Sequence, residues 1–240
     1  MLRKMKPFVL WLSLPVLATG LHACKKPPDS QVEEETQAGG QGETRPSPEE
    51  DMCNKGDGDA CHALAVSFLG QKDTEKAVEF FSKACNADNA KDCRQLGMMH
   101  SIGKVVEKNP EKTAELYARA CELDDLQTCL DLANMYHEGF QLQKNEEKSR
   151  ELYRKACDGD YQHACFSLAT AYEFGKEKGD TERAAQLYQK SCDLGLGMGC
   201  EVLGDFYLDG KGVKKNKARA KELFQMGCDA GWPKACSRVK

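Results

Sequence analysis

Six times along this chain a cysteine is followed by seven residues and a second cysteine: Cys53/Cys61, Cys85/Cys93, Cys121/Cys129, Cys157/Cys165, Cys192/Cys200 and Cys228/Cys236. From one second cysteine to the next the steps are 32, 36, 36, 35 and 36 residues. Such a period marks a supersecondary unit that can bury its apolar face only by stacking on copies of itself, so a repeat array is expected. Of the 13 cysteines only Cys24 lies outside the scheme.

The residues between the pairs define the unit. Twelve positions before the first cysteine of pairs two to six stand Asp73, Asn109, Asn145, Asp180 and Asn216. Their side-chain oxygens suit them to accept from the orphan N–H groups of a first helical turn, so each opens a helix. Pro110, directly after Asn109, fits the first helical position, where no N–H is needed. Eight before the cysteine come Ala77, Thr113, Ser149, Ala184 and Ala220, and one before it Ala84, Ala120, Ala156, Ser191 and Gly227. Small residues seven apart form a stripe that lets another helix approach closely. Between them lie Phe80-Phe81, Leu116-Tyr117, Leu152-Tyr153, Leu187-Tyr188 and Leu223-Phe224, bulky residues at helical spacing that read as core.

Three residues past each first cysteine is Gly56, Asp88, Asp124, Asp160, Gly195 or Gly231, residue types that favour the turn ending a helix. The second cysteine then enters another helix, which carries Leu64, Leu96, Leu132, Leu168 and Leu203 and breaks at Gly103, Gly139, Gly175 and Gly210. The unit is helix, loop, helix, tight turn, and every cysteine pair straddles the tight turn between units. A local disulfide there closes a loop of about nine residues, worth roughly 2.5 kcal/mol by chain entropy. The zinc alternative fits poorly, since zinc sites usually take cysteines two to four residues apart. The expected fold is all-α: an α-solenoid of helix-turn-helix repeats stapled by disulfides, with repeats at 61–92, 93–128, 129–164, 165–199 and 200–235.

A dozen regularly spaced cysteines imply an oxidising compartment. The N-terminus agrees: Arg3, Lys4 and Lys6 precede an apolar run over 7–20 that is short for a membrane span, the layout of a secretory signal. Leu21-His22-Ala23-Cys24 then resembles the bacterial lipobox, which implies acylation of Cys24 and removal of residues 1–23. Lys25 and Lys26, with no Asp after the cysteine, imply by the same resemblance the outer membrane where the organism has one. Residues 24–52, with eight acidic and three basic side chains and almost nothing to bury, read as a flexible tether. Of the chain's net −4, the solenoid region 53–240 then holds about −2, which gives no electrostatic case for nucleic acid.

The segment Leu203-Gly204-Asp205-Phe206-Tyr207-Leu208-Asp209-Gly210-Lys211-Gly212-Val213, with Lys217-Ala218 and Ala235, resembles the Sel-one-like repeat, a cousin of the tetratricopeptide repeat. The cysteine pair in every unit is similar to the secreted cysteine-rich Hcp family of bacteria, in which such disulfides bind successive helix hairpins. The first unit departs by being four residues short, so its hairpin loop must be tighter. The Hcp resemblance implies penicillin binding or weak β-lactamase activity.

The residues themselves support that chemistry poorly. Ser101/Lys104 and Ser237/Lys240 match Ser-x-x-Lys, but in a lysine-rich chain such matches arise by chance, and neither Lys-Thr-Gly nor Ser-Asp-Asn occurs. His62, His100, His137 and His163 are spread along the repeats without metal-binding spacing. No metal or cofactor is expected. A geometric argument is stronger: in stacked helix pairs the first helices line a concave surface suited to extended peptides. Positions five and eight past the second cysteine face neither the small stripe nor the aromatic core and vary freely: Met98, Asn134, Thr170 and Asp205, then Ser101, His137 and Glu173.

The expectation is an envelope-anchored scaffold that binds a peptide, protein or cell-wall fragment in this groove and meets the membrane only through its lipid. The rival is a β-lactam hydrolase of the Hcp type, and a third reading is an inert or host-interacting surface protein. The anchor is testable directly. Cys24→Ser should leave an unacylated protein released from membranes without detergent; a lipid-free mature N-terminus elsewhere would remove the anchor.

Overall fold

The computed structural model of the protein describes residues 46–174 and 180–239, so Cys24, Gly175 and Lys240 lie outside the described residues. Among them the chain forms helices only: α1 (Pro48–Asn54), α2 (Gly58–Gly70), α3 (Thr74–Asn86), α4 (Ala90–Ile102), α5 (Pro110–Glu122), α6 (Leu126–Glu138), α7 (Glu146–Asp158), α8 (Gln162–Glu173), α9 (Asp180–Asp193), α10 (Gly197–Asp209), α11 (Lys217–Asp229) and α12 (Pro233–Arg238). The hairpins α2–α3, α4–α5, α6–α7, α8–α9 and α10–α11 are the five repeats, and each packs on the next through helices adjacent in sequence. Contacts of that kind make a quasi-one-dimensional solenoid.

The starts of the second helices follow local chemistry. Asp73, Asn109, Asn145 and Asn216 accept through their side chains from the backbone N–H groups of Lys76, Lys112, Lys148 and Arg219. Asp180 is the first residue of α9. Among the described residues the first helix starts at Pro48, inside the segment expected to be tether and ahead of Cys53. The cause is a capping box: Glu50 N–H donates to Ser47 Oγ at 3.1 Å and Ser47 N–H donates to Glu50 Oε2 at 2.9 Å. Three acidic residues in the first turn of α1 also complement the helix dipole.

The tight turns have one geometry throughout. Gly56, Asp88, Asp124, Asp160, Gly195 and Gly231 all have φ between 61° and 92°, the left-handed conformation that reverses the chain. That reversal sets the flanking cysteines 4.5–4.7 Å apart at Cα, within disulfide reach. The bonds join Cys53 to Cys61, Cys85 to Cys93, Cys121 to Cys129, Cys157 to Cys165, Cys192 to Cys200 and Cys228 to Cys236, the local pairing expected from the spacing.

The second cysteine enters the first helix of each unit, as the spacing predicts: Cys61, Cys93, Cys129, Cys165, Cys200 and Cys236 each lie three residues inside a helix, since α2, α4, α6, α8, α10 and α12 begin at Gly58, Ala90, Leu126, Gln162, Gly197 and Pro233. The reason is that the residue directly after the left-handed one already caps the helix. These caps are Asp57, Asn89, Asp125, Tyr161, Leu196 and Trp232. The N–H groups of Cys61, Cys93, Cys129, Cys165, Cys200 and Cys236 donate to the cap carbonyls at 3.0–3.3 Å, closing the first full turn of each helix. Each bridge therefore grips its helix one turn in from the end.

In the second, third and fifth repeats a longer loop joins the two helices; in the first, α2 reaches α3 through Gln71, Lys72 and Asp73, with Lys72 at φ 64°.

The small stripe is the interior seam. Ala77, Thr113, Ser149, Ala184 and Ala220 are wholly buried, as are Ala84, Ala120, Ala156 and Ser191. At two positions on the facing first helices even a methyl would collide with the aromatic of the second: a Cβ on Gly97 would stand 2.6 Å from the Tyr117 ring, and one on Gly204 2.5 Å from the Phe224 ring.

No described helix is long and apolar enough to cross a membrane. Non-reducing peptide mapping should recover six bridges, each between nearest cysteines. Replacing Cys121 and Cys129 together by Ser should lower unfolding stability by about 2.5 kcal/mol in chemical denaturation. An unchanged midpoint would mean that packing alone holds that junction.

Candidate functional site

The Ser-x-x-Lys serines have other partners. Ser101 Oγ, in the last turn of α4, donates to Gln141 Oε1 at 3.4 Å, and Ser237 Oγ donates to the Lys234 carbonyl at 2.7 Å. The histidines stay apart. His62 Nδ1 lies 2.7 Å from Asp92 Oδ1, His100 Nδ1 is 3.2 Å from the Glu107 carbonyl, and the ring of His163 lies against that of Tyr161. Asp92, only 1% exposed, occupies a position where the other units carry Ala, Thr or Gly. Burial, offset in part by His62, pushes its carboxyl above the usual range. Among the described residues no group of three or more His, Cys, Asp or Glu side chains could hold a metal.

A cleft of about 830 Å³ is formed by α6, α7, α8 and the start of α9. From α6 it is lined by Asn134 and His137, and from α7 by Glu146, Arg150 and Tyr153. Helix α8 adds Phe166, Ser167, Thr170 and Ala171, with Phe174 just beyond its end and Asp180 opening α9. Asn134, His137 and Thr170, on the first helices of adjacent units, are thus brought to one cavity. Phe174 is 77% exposed at its rim.

Two of these residues do more than face solvent, which corrects the expectation that they avoid the core. The Tyr153 hydroxyl, on the buried face of α7, donates to Asn134 Oδ1 at 2.6 Å. In the next unit Thr170 Oγ1 lies 3.1 Å from the Tyr188 hydroxyl, which donates to Glu173 Oε2 at 2.6 Å. A buried tyrosine hydroxyl needs a partner, and the first helix supplies it. Burial and the Glu173 carboxylate push the Tyr188 hydroxyl well above the tyrosine range, so it remains a donor.

His137 Nδ1 lies 3.0 Å from Glu146 Oε2, and Lys144 Nζ donates to the other oxygen at 2.8 Å. Hydrogen bonding from Lys144, with a further contribution from His137, holds the Glu146 carboxyl below its usual range. The remaining expected groove residues lie elsewhere. Glu173 also accepts from Lys211 Nζ at 2.6 Å, Asp205 is ion-paired with Arg238 on α12, and Met98 is an exposed residue of α4. Arg150, Ser167 and Phe174 line the cleft without having been singled out by spacing, because they fall outside the five-and-eight pattern.

The Sel1 repeat model matches residues 58–89, 90–125, 127–161, 162–196 and 198–232, the same five units with each start two or three residues earlier than the cysteine count places it. No curated protein matches the chain. Among solved structures it is similar to a protective antigen of uropathogenic Escherichia coli strains with an SLR fold, at 23% identity and a TM-score of 0.67 over 78% of this chain and 41% of that one. It is also similar to a Sel1 repeat protein of Oxalobacter formigenes, at 20% identity and a TM-score of 0.68 over 78% of this chain and 56% of that one. The chain therefore spans roughly half the length of these relatives, and the likeness is one of fold. Helicobacter pylori cysteine-rich protein B aligns at 28% identity and a TM-score of 0.39, over 50% of this chain and 96% of that one.

The hydroxyl geometry makes one claim on chemistry. Ser101→Ala should change any nitrocefin hydrolysis by the purified protein less than about twofold, since its hydroxyl is bonded to an amide rather than to a base. A collapse of turnover with circular dichroism unchanged would make Ser101 a nucleophile.

Proposed function

Because the chain belongs to the Sel1 repeat family, we propose that it is a protein-binding scaffold of the bacterial cell envelope whose α6–α9 cleft takes an extended segment of a peptide or protein partner. The single observation that carries the reading is the convergence of Asn134, His137 and Thr170 on one cleft of about 830 Å³. Stacked helix pairs present such surfaces as rigid, preformed grooves. Rigidity matters here, because a groove already held by disulfides loses little further freedom when it binds.

Polar groups in the cleft are anchored as well as exposed. Asn134 is fixed through its carbonyl oxygen by Tyr153, so its amide N–H groups are left to offer. His137 is held against Glu146. Side chains oriented this way can read a backbone or polar side chain without a large ordering cost. The envelope location rests on the apolar run 7–20, the lipobox-like Leu21 to Cys24, and six disulfides that suit an oxidising compartment.

Native envelope extract passed over the immobilised protein, with an Asn134→Ala and His137→Ala double variant as the parallel bait, tests the reading. The partner retained by the wild type should bind the variant about 1–3 kcal/mol more weakly. Equal retention on both baits would remove the cleft as the binding site.

A further inference from the structure

Arg150 stands out within the cleft. Seven residues before the first cysteine, its counterparts in the first, second and fourth repeats are Val78, Ala114 and Ala185. Val78 packs against the apolar core and Ala185 is only 3% exposed, so this position normally faces the seam between hairpins. In the last repeat it is Lys221, on an exposed surface. Only in the third repeat does a half-buried position of this kind carry a cation, and there it lines the α6–α9 cleft.

Its neighbours are already committed. Glu146, one turn earlier on α7, shares its carboxylate between His137 and Lys144. Asp180 is 5% exposed and engaged in an interaction of its own. Arg150 has neither a hydrogen-bond nor an ion-pair partner among the described residues. The guanidinium of this half-buried arginine presents a planar fork of donors matched to a two-oxygen anion.

Other donors line the same space. The Asn134 amide has its oxygen occupied by Tyr153 and its N–H groups to give, and the Ser167 hydroxyl is a further donor. A carboxylate, with two oxygens and about four lone-pair directions, is the ligand group that such a set satisfies.

We infer that Arg150 anchors a carboxylate of the bound peptide, either its C-terminal carboxylate or an acidic side chain, with Asn134 and Ser167 completing the contact. This deepens the peptide-groove reading and rests on it. The aromatic rim at Phe174 covers the flanking residues of the ligand, and the anionic Glu146, neutralised by Lys144, does not oppose it.

The probes are random hexapeptide pools added to the isotope-labelled protein. One pool has free C-termini and no Asp or Glu, a second is amidated with no Asp or Glu, and a third is amidated with Asp and Glu. The readouts are the Arg150 Nε–H and Asn134 side-chain amide signals. The first or third pool should shift both signals, and which of them does so identifies the source of the carboxylate. The second pool, which lacks any carboxylate, should bind at least about tenfold more weakly. Arg150→Gln should lower affinity for the effective pool about tenfold or more with the melting temperature unchanged, and Arg150→Lys should recover part of it, because charge returns without the fork. If the second pool shifts the cleft signals as strongly, the carboxylate anchor is wrong while the groove stands. If no pool moves any cleft signal, both readings fall. Inorganic phosphate that saturates Arg150 as tightly as the best pool would also overturn the inference, by making this a general anion site.

Discussion

Everything in this solenoid depends on the junction between hairpins, where a left-handed residue and a disulfide act on the same few residues. The residue three past each first cysteine reverses the chain, and the reversal brings the cysteines to 4.5–4.7 Å at Cα. Bond and turn are therefore redundant specifications of one geometry. Without the bridge, a stack of small hairpins would rely on a seam of alanines, which bury little apolar area per residue. With it, each hairpin is fixed to the next at both ends of the tight turn. The register of one unit on another is set before any side chain across the seam has to choose a partner.

That seam has consequences for the exposed face. A stripe of Ala, Ser, Thr and Gly lets helices approach so closely that the large side chains must fill the space beside it. Where the filler is Phe81 or Phe224 it needs only apolar contact. At Tyr153 and Tyr188 the hydroxyl must be satisfied, and it emerges at the face of the first helix, where Asn134 and Thr170 meet it. In these two units Asn134 and Thr170 are thus held by the core tyrosines, so this part of the face is built from groups the packing already keeps in place.

Most of the fold was legible because its signals repeat. Cysteine spacing, Asx caps of the second helices, small residues seven apart and the Gly or Asp of the tight turn each recur, so a chance match in one unit is corrected by the others. Boundaries are harder to read where repetition fails. Ser47 and Glu50 start α1 with a capping box, but the surrounding Glu, Ser and Pro composition reads as tether. The first helices start three residues before Cys61, Cys93, Cys129, Cys165 and Cys200 because their cap position changes from Asp57, Asn89 and Asp125 to Tyr161 and Leu196, leaving no recurring signal. The cleft was legible only in part. Asn134, His137 and Thr170 follow the period along the first helices, whereas Arg150 and Ser167 reach the same cavity from positions that the period assigns to the seam or to neither face. The tyrosine bonds to Asn134 and Thr170 span 19 and 18 residues, too far for any local rule.

A repeat scaffold acquires individuality where a unit breaks its own pattern without breaking the junction. Gly97 and Gly204 vary from the alanine of other units, and the aromatic rings lying on them show that the change serves packing. Asp92 replaces a small residue at the junction, and one of its two carboxylate oxygens is met by His62. Arg150 is different: it replaces a seam residue, is answered by no described side chain, and opens onto solvent beside anchored donors. A charge retained at a half-buried position has a desolvation cost that burial alone does not recover. Gly97 and Gly204 are met by an aromatic ring and Asp92 in part by His62, whereas the Arg150 guanidinium is met by no described side chain, which is the contrast on which the carboxylate proposal rests.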